Sequence, residues 1–463
     1  MIDIDHEHKE YRQSMGMWRR YRDLYAGGEL LRAHADQYLT RRQKEPQDVY
    51  FERLSRLFYE NYIGSIIDWY AATLFSREPS ITIETRNDSA AQYFASFSDD
   101  CDRKNTRLTE FLKHSFTEML VTGASHLLVD FPRPIKKPTN RGEEEALGLS
   151  RAFLVNYGAE ELINWSLDED GQYAWVVLRR SSQTQLSVET PQAIEQTFWY
   201  YYDKQSYKTF KRVDQIGEKA PIVQIAEGTH GMARLNKVPL ITMRVSHGLW
   251  LMNKSALLQV EHLNKSNALG WAITMGLFAM PVIYSDREWN QVVGESYYIQ
   301  LGPQDRFGWT EPDGRVFEIA AKNLTDLKDE IYRVCYLSQA AGEVSGGSKG
   351  QSALSKLRDF AITQEVLRSY GDTVKESMRR LLDAIAGARD DAVKFQVSGF
   401  DEFDIGDFGT ELTDAQNLLG LGVESRTLQQ QIFKKLAFKY LSDARQDVKD
   451  QISIEIDEQF SKK

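Results

Sequence analysis

Three groups of residues have types and spacings that chemistry can use. In "VTGASHLLVD", His126 and Asp130 stand four apart with Ser125 alongside. In a strand such positions share a face, so a histidine–carboxylate pair beside a serine, the beginnings of a hydrolase, is open to them. No strand–turn–helix elbow of G-x-S-x-G form surrounds the serine, and a buried, hydrogen-bonded histidine is the plainer reading. "DHEH", Asp5 to His8, mixes imidazoles and carboxylates as metal sites do. His6 and His8 cannot share a helix face, whose neighbours stand three or four apart, so a loose, solvated charge run is expected, with no metal. Gly346, Gly347 and Lys349 invite comparison with a phosphate-binding loop, which needs G-x-x-x-x-G-K-[ST] between a strand and a helix. Here Gly347-Ser348-Lys349-Gly350 follows sequence that reads as helix, so no nucleotide or other cofactor is expected. Glu261 and His262 lie on a long helical stretch without metal-ligand spacing and read as surface groups. The aromatic run Phe198 to Tyr202 alternates between the faces of a hairpin, which reads as sheet packing before a base-stacking platform.

The elements that must position these residues are of both kinds, so the expected class is α+β. At 463 residues, two to four substructures are expected. A formal charge of −10, from 57 basic and 67 acidic residues, argues against a protein that grips nucleic acid over a broad basic surface. Cys101 and Cys335, far apart in sequence, fit a reducing compartment without disulfides. The polar amino terminus has no apolar stretch of the signal-peptide kind. The longest apolar run, residues 269 to 284, is shorter than the ~20 residues a membrane span needs and contains Pro281, so a soluble protein is expected.

Residues 6 to 39 read as helix broken at Gly27-Gly28, and 48 to 78 as one longer helix with an apolar face from Leu54 to Leu74. "SITIET" reads as a strand. The next helix is capped by Asn105 or Thr106 and stopped by Gly123, and it leads into a buried strand. Residues 133 to 150 read as a mobile loop. The middle is β-rich, with hairpins around Asp168 to Gly171 and in "QTFWYYYDKQSYKTFKRV". Then come a long helix from Ser255, strands and turns from 282 to 320, a second helix, and "AAGEVSGGSKGQSALS", a Gly/Ser stretch with almost nothing apolar. Leu354, Leu357, Ala361, Leu367, Tyr370, Val374, Met378, Leu381 and Ile385 follow on one face of a long helix. A strand, an acidic stretch and two short helices, the last capped by Ser425, complete the chain.

That order, together with "VTGASHLLVDFP", "EELINW", "GQYAWVVLRR", "KVPLITM" and "SGGSKGQSALS", resembles the portal proteins of tailed bacteriophages over nearly the whole chain. Each motif is short; the order is the more specific signal. The resemblance implies a portal-like α+β fold, mainly helical. Residues 1–253 would form a wing with a β-rich body, 254–278 and 321–341 two stem helices, and 279–320 a small α/β clip. Residues 342–353 would form a tunnel loop, 354–398 a long wing helix and strand, and 399–463 a crown.

It also implies a function: a homododecameric ring at one capsid vertex of the virion, made in the cytoplasm of the host bacterium. The ring would be a head–tail connector and DNA channel for genome packaging, retention and ejection. Its partners would be other copies of itself, double-stranded DNA, the terminase large subunit and later the head–tail adaptor, the major capsid protein and a scaffold protein, with no membrane. Ser345, Gly346, Gly347, Ser348, Lys349, Gly350 and Gln351 would line the channel, the glycines following a moving duplex and Lys349 touching phosphate. Trp289, Tyr297, Tyr298, Arg306 and Trp309 would sit in the clip that meets terminase and adaptor. No residue would be catalytic, because ATP hydrolysis would belong to the terminase. Two other readings stay open at this point: another head or adaptor protein of the virion, and a soluble hydrolase using His126 and Asp130.

Overall fold

The computed structural model describes residues 3–133, 142–143, 148–187, 190–214, 220–276, 280–284, 304, 306–310, 314–337, 353–400, 403, 408–420, 425–441 and 446–461. The chain divides into two compact units. One comprises Met1–Trp18, Ile67–Trp250 and Glu343–Lys463, and the other Arg19–Ile66 and Leu251–Gly342. The class is α+β with antiparallel sheets, as the sequence indicates.

The first unit is organised around β2 (Ala124–Asp130), the middle strand of a three-stranded antiparallel sheet with β3 (Phe153–Gly158) and β9 (Leu240–Arg244). All seven β2 residues are buried. Helix α7 (Leu108–Thr122) feeds β2 through Gly123, whose φ of 92° is left-handed and whose absent Cβ leaves room for the Trp250 ring at 3.0 Å. Residue Arg107 caps α7 without a side-chain bond; Asn105 instead turns a tight loop at φ 65°, its N–H donating to the Asp100 carboxylate. An additional helix, α6 (Asp88–Asp99), precedes this loop and is capped by Asn87. Strand β1 (Ser80–Glu84) pairs antiparallel with β12 (Lys394–Ser398), near the end of the long helix α10 (Ala353–Arg389).

The predicted face of α10 is the buried one from Leu367 through Tyr370, Val374, Met378 and Leu381 to Ile385, whereas Ala361 is exposed. Tyr370 sits at its centre, edge-on to Tyr70 and Phe116, with its hydroxyl donating to the Leu249 carbonyl at 2.5 Å. A Cβ on the next residue, Gly371, would lie 2.2 Å from the Phe400 carbonyl oxygen, so only glycine fits.

The second sheet of this unit runs β4 (Leu162–Leu167), β5 (Tyr173–Ser187), β6 (Thr190–Asp203), β7 (Ser206–Asp214) and β8 (Val223–Thr229), antiparallel throughout. Tyr202 and its neighbours pack one face against Leu128, Tyr157, Val238 and Leu240, and Trp199 packs the other against Ile4, Tyr11 and Ile163. The aromatic run is therefore sheet packing.

The chain start is docked here and not loose, contrary to the expectation for "DHEH". Ile4 buries itself, Asp5 and Glu7 take the two ends of the Arg179 guanidinium at 2.9 and 2.8 Å, and His8 stacks on Trp165. A bare charge run would stay in water; Ile4 and Tyr11 on either side of it supply the apolar area that holds it down.

Near the carboxyl terminus three helices are described where two were expected: α11 (Phe408–Gly420), α12 (Arg426–Tyr440) and α13 (Gln446–Ser461). Ser425 caps α12, which is not the last. Its hydroxyl accepts the Leu428 N–H at 3.3 Å.

The second unit contains α2 (Gly28–Arg32), α3 (Ala35–Tyr38) and α4 (Gln47–Ser55), with parts of α1 (Lys9–Ala26) and α5 (Tyr62–Leu74). The single helix expected over 48–78 is two. Asn61 breaks it: its Oδ1 accepts the Gly64 N–H at 2.9 Å as an N-cap does, and its Nδ2 donates to the Tyr25 carbonyl. The cap lies so close that a Cβ on Gly64 would stand 2.5 Å from it. The unit is completed by α8 (Leu251–Gly276), the antiparallel strands β10 (Met280–Tyr284) and β11 (Arg306–Thr310), and α9 (Gly314–Val334). Helix α9 thus opens seven residues before Ala321.

Candidate functional site

Helices α8 and α9 lie side by side and antiparallel, because Lys254 meets Tyr336 at one end and Lys265 meets Asn323 further along. Between them in sequence, β10 and β11 form a two-stranded insertion in which Tyr284 faces Arg306 and Pro281 faces Trp309. Of the clip residues, Arg306 and Trp309 therefore share β11, three apart, and Arg306 is exposed. Trp289, Tyr297 and Tyr298 lie outside the described residues, as do Ser345 to Gln351. What is described around the latter is the α9 segment ending near Leu337 and the start of α10 at Ala353.

Helix α8 has polar residues on its buried side, and three amides explain why. Each clasps a backbone N–H and a C=O of the α3–α5 region. Gln259 holds the Glu60 carbonyl and the Ile63 N–H, Asn264 the Tyr38 carbonyl and the Thr40 N–H, and Asn267 the Phe58 carbonyl and N–H, at 2.8 to 3.3 Å. The connectors they serve leave helix ladders open at those points, and a carboxamide offers one donor and one acceptor to close them. His262 belongs to this buried side too, edge-on to Tyr62, and is not the surface group expected; Glu261 is exposed. Burial pushes its imidazole below the ordinary range despite the nearby Glu60 carboxylate, so it is neutral at pH 7.

At the base of the pair the Lys254 ammonium donates to the Tyr336 hydroxyl and lies 4.4 Å over its ring. Beside them the Cys335 thiol is buried and pushed up to about 12, which makes it inert.

The outer faces of the pair carry charge of both signs. Along α9, Arg315, Lys322, Lys328 and Arg333 alternate with Glu318, Asp326, Asp329 and Glu330. Arg333 is bound to Glu330 at 2.5 Å and, on α8, Lys265 to Glu261 at 3.0 Å. Such a surface has no strong field to hold a polyanion.

The chain matches no protein-family profile and no curated protein. Among solved structures it is similar to a chain in the neck of an empty gene transfer agent (GTA) particle computed with C6 symmetry, with 12% identity and a TM-score of 0.43 over 79% of this chain and 87% of that one. It is also similar to a chain of the native GTA virion, at 10% identity and TM-score 0.39 over 84% and 93%. The neck of the native GTA particle computed with C12 symmetry gives 11% and 0.39 over 85% and 94%.

The hydrolase pair raised by the sequence is not assembled. His126 is fully buried and its Nδ1 bonds the Thr242 hydroxyl at 2.9 Å; burial, with a smaller push from Arg244, lowers its pKa to about 3. Asp130 has other partners: the Phe131 N–H at 2.9 Å, Arg133 at 3.1 Å and the Tyr202 hydroxyl at 3.3 Å. The Ser125 hydroxyl donates to Asn156. Each group is occupied in holding the sheet. Among the described residues no cluster of three or more His, Cys, Asp or Glu can hold a metal ion, and no helix is long and apolar enough to cross a membrane.

Proposed function

We propose that the chain is a portal protein: the subunit of a ring, a dodecamer, at one capsid vertex of a tailed-phage virion, through which the genome enters and leaves. The observation that carries this reading is the antiparallel pair α8–α9 enclosing a β insertion, followed in sequence by a Gly/Ser stretch and then the 37-residue α10. A conduit needs long walls, and a helix pair joined through Lys254–Tyr336 and Lys265–Asn323, with three amides of α8 tying it to the α3–α5 region, supplies them. It also needs a lining that does not grip. The alternating charges of α9 and the net charge of −10 suit that need, since every phosphate neutralised by a fixed cation would hold the duplex more tightly.

On this reading α8 and α9 are the stem, and β10–β11 with the intervening residues is the clip that docks terminase and then the adaptor, Arg306 and Trp309 among its contacts. Residues 345 to 351 are the loop around the DNA, where Gly346, Gly347 and Gly350 give the backbone freedom and Lys349 offers one phosphate contact per subunit. The chain performs no catalysis; terminase hydrolyses ATP.

A cysteine at the loop tests the arrangement. Both native cysteines are buried, so Ser348→Cys introduces the one accessible thiol among the described cysteines and itself. If the loops converge on a common axis, mild oxidation of dilute protein links neighbouring subunits as disulfide dimers. Ring particles whose Ser348→Cys chains stay monomeric on a non-reducing gel would contradict the loop's place in the channel.

A further inference from the structure

The helices α11, α12 and α13 have no core of their own. They run to 13, 15 and 16 residues, and none of their described side chains is buried. Leu418 on α11, Leu428, Phe433 and Tyr440 on α12, and Val448 and Ile454 on α13 are exposed, Tyr440 by 74% and Ile454 by 52%. Helices this short are marginal in water unless tertiary packing covers an apolar face. One copy of the chain leaves these faces uncovered.

Within one copy α12 and α13 run side by side and antiparallel. Gln430 and Lys434 both bind the Asp457 carboxylate, and the Phe433 and Phe460 rings stand 6.0 Å apart. Their charges are sorted by sign. Helix α12 carries Arg426, Lys434, Lys435 and Lys439 and no acid, whereas α13 from Ile452 onward carries Glu455, Asp457 and Glu458 and no cation. Lys434 and Asp457 are half-buried where the two helices meet, but Lys435 and Glu455 are exposed. The Lys434–Asp457 pair sets Lys435 and Glu455 at nearly the same height along the two helices. Each shares its face with an exposed apolar residue two turns earlier, Lys435 with Leu428 and Glu455 with Val448.

We propose that this face of α12 in one copy packs on the matching face of α13 in the next, Lys435 against Glu455 with Leu428 and Val448 to either side. The charges choose the occupant. A second α12 would set ammonium against ammonium, and a second α13 carboxylate against carboxylate, so only the unlike helix of another copy is complementary. The two faces differ, so the contact is heterologous and repeats head to tail, closing when the rotation closes. The inference rests on the ring reading and supplies one of its joints.

The test uses the full-length chain, with assembly read as mass in solution. Lys435→Glu and Glu455→Lys should each raise the protein concentration needed for rings by about tenfold. Both positions are exposed, so each variant should keep the circular dichroism of the wild type. Mixing the two variants in equal amounts should restore assembly, because every contact in an alternating ring again sets a carboxylate against an ammonium. A bond made inside one copy would give no such rescue. Variants that assemble at the wild-type concentration, or a mixture no better than its components, would overturn the contact and leave the ring standing. A wild-type chain that stays monomeric at every concentration would overturn both.

Discussion

His126 shows how little a suggestive sequence says about what a side chain does. Fully buried in the middle strand with its Nδ1 on Thr242 of the neighbouring strand, it is a neutral structural group. Its pKa is about 3 in the fold and near 6.5 in the unfolded chain. The unfolded state therefore binds the extra proton between those values, so the stability His126 contributes is complete above pH ~6.5 and drains away as pH falls towards 3. The wild type should lose urea stability between pH 7 and pH 5 more steeply than His126→Gln; equal slopes would mean that the imidazole charges in the native state. Glu45 is the opposite kind of group. Burial alone would push its carboxyl up, but the Arg53 guanidinium, 2.8 Å from both oxygens, and the Arg42 N–H outweigh that and hold it below the ordinary carboxylate range. Its contribution is present above the unfolded carboxylate pKa and is lost as pH falls through the lower folded value. Glu45→Gln leaves Arg53 buried and unpaired and should cost about 3–5 kcal/mol in denaturant unfolding.

Much of the secondary structure could be read because single helices and strands announce themselves by pattern. The α10 face from Leu367 to Ile385, the Gly123 stop and the Asp168–Gly171 turn are all where local chemistry puts them. Helix α6 has a local signal as well, Asn87 ahead of Ala90, Phe94 and Phe97 on one face. Helix α13 hides itself, because Ile452, Ile454 and Ile456 alternate as in a strand. The break at Asn61 could not be read locally, since its amide serves Tyr25, 36 residues away. The same holds for the candidate site. Polar residues scattered along α8 were visible, but the carbonyls and N–H groups they close lie some 200 residues earlier. Asn267→Leu should therefore cost more than a surface change: it strands the Phe58 N–H and C=O, and about 1–3 kcal/mol should be lost in thermal or urea unfolding. A neutral result would mean water replaces the amide. On α10, Gly371→Ala should destabilise by a similar 1–3 kcal/mol through collision with Phe400, readable in the same unfolding curves.

The chain as a whole has an antiparallel helix pair carrying charge of both signs, a two-stranded insertion between them in sequence, and a separately packed α+β unit, taken as the parts of the proposed conduit. None of these parts is a channel in one copy, so the account stands or falls on assembly. Electron microscopy of the purified full-length protein, with its mass in solution measured on the same sample, tests this most directly. The account predicts closed rings of about twelve subunits with a central opening that passes duplex DNA. A stable dimer or monomer with no channel at any concentration would contradict it.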